Sequence, residues 1–201
     1  MLDHHQAAGR RDRDDDGMSR TAVLMLDLQV DFLDSGRGRM PVDEAGSARV
    51  IEAARKVLLG AALPGAPVAV IVNAFPRSQR LRNFFRRNAA VAGSAGAALD
   101  PRLAIPAGTP VFAKDRPDAF SNPRLDDYLR SHGVTRVCII GVFAEACVRA
   151  TALGARVHGY EVCVPLEGIA SNARWKVCLA GLSMSLHGIS LPSGLECIGK
   201  E

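Results

Sequence analysis

No stretch of this 201-residue chain stays apolar for the roughly 18–20 residues that a membrane span requires. The sequence also lacks a P-loop or GxGxxG glycine pattern, so nothing in it points to a nucleotide cofactor, and no cofactor is expected. Five cysteines (Cys138, Cys147, Cys163, Cys178 and Cys197) form no CxxC pair, and no Cys/His spacing suits zinc. Histidine is absent between His5 and His132. The opening MLDHHQAAGRRDRDDDG has no apolar centre, so no signal peptide is expected. An odd cysteine count without that leader predicts a reducing, cytoplasmic setting.

A basic stripe is missing too. The formal charge is +4, but the segment RSQRLRNFFRR at 77–87 carries five Arg and no acid, and without it the chain is close to neutral. That distribution argues against nucleic acid as a partner, and the short apolar runs argue against a membrane. The arginines read as a solvated face, with recognition of a substrate carboxylate as the alternative.

What remains is ordinary globular material, 48% hydrophobic and 23% charged, enough for one sizeable core. Residues 1–20 are polar and without periodicity, and are expected to be a disordered extension. Residues 21–201 are expected to form a single domain. Apolar runs at Thr21–Leu26, Pro67–Val72, Pro110–Lys114, 135–140 and YEVCVP (160–165) read as buried strands, with a sixth, edge strand at 188–191. Helical patterns separate them at Glu44–Leu59, about 78–89, from an N-cap at Ser121 or Asn122 through Arg130, from Glu145 onward, and at about 172–186. Strand–helix alternation predicts an α/β, Rossmann-like three-layer fold with a mainly parallel, about six-stranded sheet flanked by helices.

Three reactive groups stand at the C-terminal tips of these strands. Asp27 follows TAVLML, Lys114 ends PVFAK, and Cys147 opens the helix after VCIIG. Open parallel sheets place ligands at that edge. A helix N-terminus favours a thiolate, so Cys147 is expected to be the more nucleophilic at neutral pH. The combination suits acyl transfer through a thiol: a carboxylate to move the proton, an ammonium to hold both charges, and backbone N–H groups for an oxyanion. The plain alternative, an Asp–Lys ion pair beside a core thiol, brings little stability by itself.

In order and spacing, LMLDLQVDF with Asp27, VFAKDRPDAF with Lys114, and GVFAEACVRATALGA with Cys147, followed by GYEVCVPLEGIAS, resemble the isochorismatase-like cysteine hydrolases. That group includes nicotinamidases and N-carbamoylsarcosine amidohydrolases, and the likeness spans about Thr21 to Leu191. It implies that Asp27 is the base, Lys114 its partner and Cys147 the nucleophile. It also implies a cis peptide at Val142–Phe143 and an oxyanion hole from the N–H groups of Phe143 and Cys147. Many relatives have Thr where Ala144 stands. Metal-dependent nicotinamidases carry Asp-x-His after the second strand, where this chain has Asn73-Ala74-Phe75, so no metal is expected. Isochorismatases proper cleave a vinyl ether without a cysteine.

The resulting expectation is a metal-independent cysteine hydrolase that cleaves an amide or related C–N bond of a small molecule through a Cys147 thioester. The rivals are a vinyl-ether hydrolase using Asp27 and Lys114, and a non-catalytic binding or assembly subunit. Phe32, Phe75 and Phe120 are candidate pocket walls. A homodimer or homotetramer is expected by likeness to relatives.

Overall fold

The structure, a computed structural model, describes residues 20–60 and 63–195. The expected disordered extension, apart from Arg20, lies outside the described residues, as does Cys197. Thr21–Leu26 forms β1, at the centre of the sheet. Its residues alternate between two cores, as a strand buried on both faces must. Ala22, Leu24 and Leu26 pack into one core, Val23 and Met25 into the other.

A short helix, α1 (Val30–Leu33), leads to α2 (Glu44–Leu58), which covers the Val23 face with Val50, Ile51, Ala54 and Val57. Asp43 caps α2 by accepting from the Gly46 N–H at 2.8 Å. Next come β2 (Val68–Asn73), α3 (Arg80–Phe85) and β3 (Val111–Lys114). The other face is covered by α4 (Pro123–Ser131), α5 (Arg149–Val157) and α6 (Arg174–Leu186), which surround β4 (Arg136–Val142) in sequence. The strands β5 (Glu161–Cys163) and β6 (Ile169–Ala170) complete a six-stranded parallel sheet of order β3-β2-β1-β4-β5, with β6 paired to the end of β4.

Strand order places a topological switch between β1 and β4. From β1 the chain moves outward through β2 and β3, then returns to the other side of β1. The connections leaving β1 and β4 therefore diverge and open a crevice at the C-terminal edge, where such sheets bind ligands. The two strands approach closely there. Gly141 has φ +132°, and a Cβ on it would collide with the Leu26 carbonyl oxygen.

The layered architecture is the expected one, and three local details differ. The sixth strand is Ile169–Ala170; the expected strand at 188–191 contributes only a single bridge, Ser190 to Cys163, after Gly188 turns the chain at φ +70°. The helix expected over 78–89 is cut to Arg80–Phe85, because Arg87 and Asn88 adopt positive φ. Cys147 lies in a π-helical turn, Ala144–Val148, ahead of α5 rather than in its first α-turn. Among the described residues, no helix is long and apolar enough to cross a membrane.

Candidate active site

The register of the sheet lines up four side chains along its C-terminal edge. Asn73 pairs with Lys114 across β2 and β3, and Leu26 pairs with Ile71 and Gly141, so Asp27 and the turn carrying Cys147 follow at the same level. Lys114 reaches from β3 past β2 to the centre. Its Nζ donates to Asn73 Oδ1 at 2.8 Å and to Asp27 Oδ2 at 2.9 Å, and lies 3.3 Å from Cys147 Sγ. Asn73 Nδ2 is a further, longer contact of the thiol, at 3.9 Å. Asp27, Lys114 and Cys147, drawn from three separate stretches of sequence, are thus gathered at one buried point.

The residues after β1 are fixed by backbone pairing. Asp27 holds φ +58°, a strained value for a non-glycine residue, with its N–H bonded to Ile71 O at 2.8 Å. Gln29 locks the neighbouring strand tip by donating to Asn73 O at 2.8 Å and accepting from Asn73 N–H at 2.9 Å. Asp31 is buried and accepts from the N–H groups of Arg39 and Ala90. Gly96 is required beside it, since a Cβ there would meet the Asp31 carboxylate.

Burial decides the electrostatics. It pushes the Asp27 carboxyl above the usual range, a shift that the Lys114 ammonium opposes without cancelling. Burial also works against the Lys114 charge, but Asp27 and Cys147 together outweigh it and hold its pKa above normal. The Cys147 thiol is pushed up to about 12, first by burial and then by the Asp27 charge, against the pull of Lys114. The expected resting thiolate is therefore not favoured. Desolvation and a neighbouring carboxylate outweigh the helix terminus, and the thiol rests protonated. Asp27 Oδ1, fully buried, has no hydrogen-bond partner among the described residues.

The remaining predicted residues divide. The Val142–Phe143 peptide is cis. Phe143 O accepts from the N–H groups of Ala146 (3.1 Å) and Val148 (3.2 Å), passing over that of Cys147. Phe32 meets Phe143 edge to face, with ring centroids 5.6 Å apart. Phe75, two residues beyond Asn73, lies under the Arg86 guanidinium. Phe120 is not gathered with them: it packs on the α4/α5 side of the sheet, stacked on His158 at 4.7 Å. Asn73, Gln29 and Asp31 support the site without a sequence signal of their own. Asn73 shares the strand-tip position of Asp27 and Lys114, a signal that its lack of charge concealed.

A model of the isochorismatase domain matches residues 21–181. The chain belongs to the isochorismatase family. Within this family it is 26% identical to an uncharacterized isochorismatase family protein of Bacillus subtilis, over 78% of this chain and 81% of that one. It is 28% identical to a probable inactive nicotinamidase of Arabidopsis thaliana, over 86% and 92% of the two chains. Among solved structures, pyrazinamidase of Pyrococcus horikoshii in complex with zinc matches with a TM-score of 0.73 and 26% identity, over 86% and 98%. This isochorismatase-family chain is a hydrolase. Among the described residues no three His, Cys, Asp or Glu side chains are grouped to hold a metal ion.

Proposed function

We propose that this hydrolase is a metal-independent cysteine enzyme that cleaves an amide or related C–N bond of a small molecule. One observation carries the reading: a single buried ammonium, Lys114 Nζ, touches both the Asp27 carboxylate and the Cys147 sulfur. A purely structural ion pair has no need of a thiol as third partner, and burying the pair brings little stability.

Because the thiol rests protonated, its proton leaves as the sulfur–carbon bond forms. Asp27 is the acceptor. Its raised pKa makes it a stronger base than an exposed carboxylate, and its unpartnered Oδ1 is free to take the proton. One negative charge thus moves from Asp27 to sulfur and on to the substrate oxygen, while Lys114 remains cationic beside it. The N–H groups of Phe143 and Cys147 receive the oxyanion; that of Cys147 is supported by being passed over in the bonding to Phe143 O. Asp27 returns its proton to the departing nitrogen, leaving a thioester. Water then attacks the thioester carbon, gives a proton to Asp27, and the carboxylic product leaves as the thiol is restored.

The test is a hydrolysis screen of small amides and ureides with isochorismate as comparison, on wild type and on Cys147→Ala, Asp27→Asn and Lys114→Ala. Amide turnover lost in all three variants, unaffected by a chelator and accompanied by a trapped acyl mass on Cys147, supports the reading. Ether cleavage that survives Cys147→Ala would replace it with the vinyl-ether reaction. No turnover of any of these compounds would overturn the amide reading.

A further inference from the structure

The helix α6 is apolar on both of its sides. Val177, Ala180 and Met184 on the inner side pack into the core that α4 and α5 also cover. The outer side carries Trp175, Leu179, Leu182 and Leu186, exposed by 61%, 56%, 61% and 78%. Their i, i+4, i+7, i+11 spacing lays them in one stripe about 17 Å long. A surface helix ordinarily turns a polar face outward, and one that is apolar all round belongs in an interior. Trp175 is the chain's only tryptophan, the kind of side chain that anchors interfaces.

The stripe is held firmly from behind. Lys176 Nζ pairs with Glu145 Oε1 at 3.3 Å, and Arg149 Nε donates to Ser183 Oγ at 2.7 Å. A partner therefore meets a surface already formed and loses little to ordering it.

Three observations select a second copy of the chain as that partner. The 4-3-4 spacing of the stripe reads the same in both directions, so it is complementary to itself under a two-fold axis. Trp175 then meets the partner's Leu186, and Leu179 meets the partner's Leu182. The charges set the direction: α6 carries Arg174 and Lys176 at its N-terminal end and no acid. Parallel packing would bring those cations together, whereas antiparallel packing sets them beside the partner's C-terminal carbonyls, the negative end of the helix dipole. The area is also sufficient. At about 150 Å² for the exposed part of Trp175 and about 100 Å² for each Leu, two copies remove roughly 900 Å² from water. The flanking Cys178 and Ser185 bring this to the roughly 1,000 Å² at which specific interfaces begin. The chain's own ends suit the stripe poorly. Leu195 is buried in the core on the α2 side, and residues 1–19 include eight charged side chains.

We propose that α6 is the interface of a homodimer, in which two copies pack antiparallel through Trp175, Leu179, Leu182 and Leu186 about an axis between residues 180 and 181. The inference is independent of the cysteine-hydrolase reading, because its test reads mass and contact rather than turnover.

Sedimentation velocity of the full chain from about 1 to 100 μM is the first measurement, and a concentration-dependent dimer is expected. Leu182→Glu should raise the dissociation constant about 100-fold or more, because each copy would bury an unpaired carboxylate. Leu81→Glu, on the exposed side of α3, should leave it unchanged, and circular dichroism checks that both variants fold. Trp175 fluorescence should shift to the blue as the wild type dimerises and stay red in Leu182→Glu. A second arm reads the geometry. Cys178 and Ser185 lie seven residues apart along one flank of the stripe, too far for a disulfide within one helix. Mild oxidation of Ser185→Cys, in a Cys197→Ser background, should join position 178 of one copy to position 185 of the other. A monomer at every concentration overturns the proposal, as does a dimer lost in Leu81→Glu but kept in Leu182→Glu. A dimer that never yields the 178–185 link overturns the antiparallel arrangement. A monomer that instead co-sediments with phosphatidylglycerol vesicles through Trp175 assigns the stripe to a membrane surface and overturns the dimer.

Discussion

Asp27→Asn should make Cys147 more reactive while abolishing hydrolysis. The Asp27 and Cys147 atoms that share Lys114 Nζ lie no more than about 6 Å apart. At an effective dielectric constant of about 20, removing a unit charge about 5 Å away is worth roughly 3 kcal/mol, or about 2 pH units of thiol acidity. The thiol, pushed up to about 12 in the wild type, then falls toward about 10, since the Asp27 charge is one of the causes that raise it. At fixed pH below both values, the thiolate population rises about 100-fold. The less basic sulfur loses about ten-fold in intrinsic nucleophilicity at a Brønsted coefficient of about 0.5, leaving a net gain of about ten-fold. The assay is the rate of reaction with a neutral disulfide, 4,4′-dithiodipyridine, from pH 8 to 10. Cys178, exposed in the structure, and Cys197 are first replaced by Ser. Hydrolysis falls by about 100-fold or more in the same protein, because the proton acceptor is gone. Labelling that is unchanged or slower in Asp27→Asn would show that the carboxylate does not hold the thiol up, and the electrostatic account would be refuted.

Three further outcomes follow from the same geometry. Asn73→Ala removes the acceptor that orients Lys114, and should lower kcat about ten-fold or more with folding intact by circular dichroism. Gly141→Ala forces a side chain into the Leu26 carbonyl at φ +132°, and should cost about 3 kcal/mol or more in a urea titration, even though residue 141 carries no chemistry. Phe120→Leu loses the stack on His158 and should cost about 1–2 kcal/mol of stability. Its KM and kcat for any substrate should match the wild type; a raised KM would return Phe120 to the pocket.

Much of this arrangement is readable along the chain. Continuous apolar runs such as VLML and VCIIG declare strands buried on both faces, and the charged residue ending a run marks the edge where ligands bind. What is not readable is how groups interact after the chain closes. The helix terminus at Cys147 suggests an acidic thiol, but the opposing effect comes from Asp27, 120 positions away, and from burial that only the finished fold imposes. Asn73 is uncharged and therefore inconspicuous until Lys114 is seen bonded to it. Ile169–Ala170 is too short to show a period, and it becomes a strand only because the end of β4 extends beyond β5 and offers it a partner. Arg86 looks like one solvated arginine among five until its position over Phe75 separates it from the others.

The strand order has a consequence for assembly. Asp27, Asn73, Lys114 and the turn bearing Cys147 come from four different strands, and Lys114 must pass the tip of β2 to reach its partners. The site has no precursor in any hairpin or contiguous half of the molecule. A chain cut between 99 and 100 would leave two members on each piece, and neither piece would possess even a weakened version of the chemistry. Recovery of hydrolysis during refolding would then time the docking of the last strand, and mixing the two pieces would restore it only as far as they rebuild a common sheet.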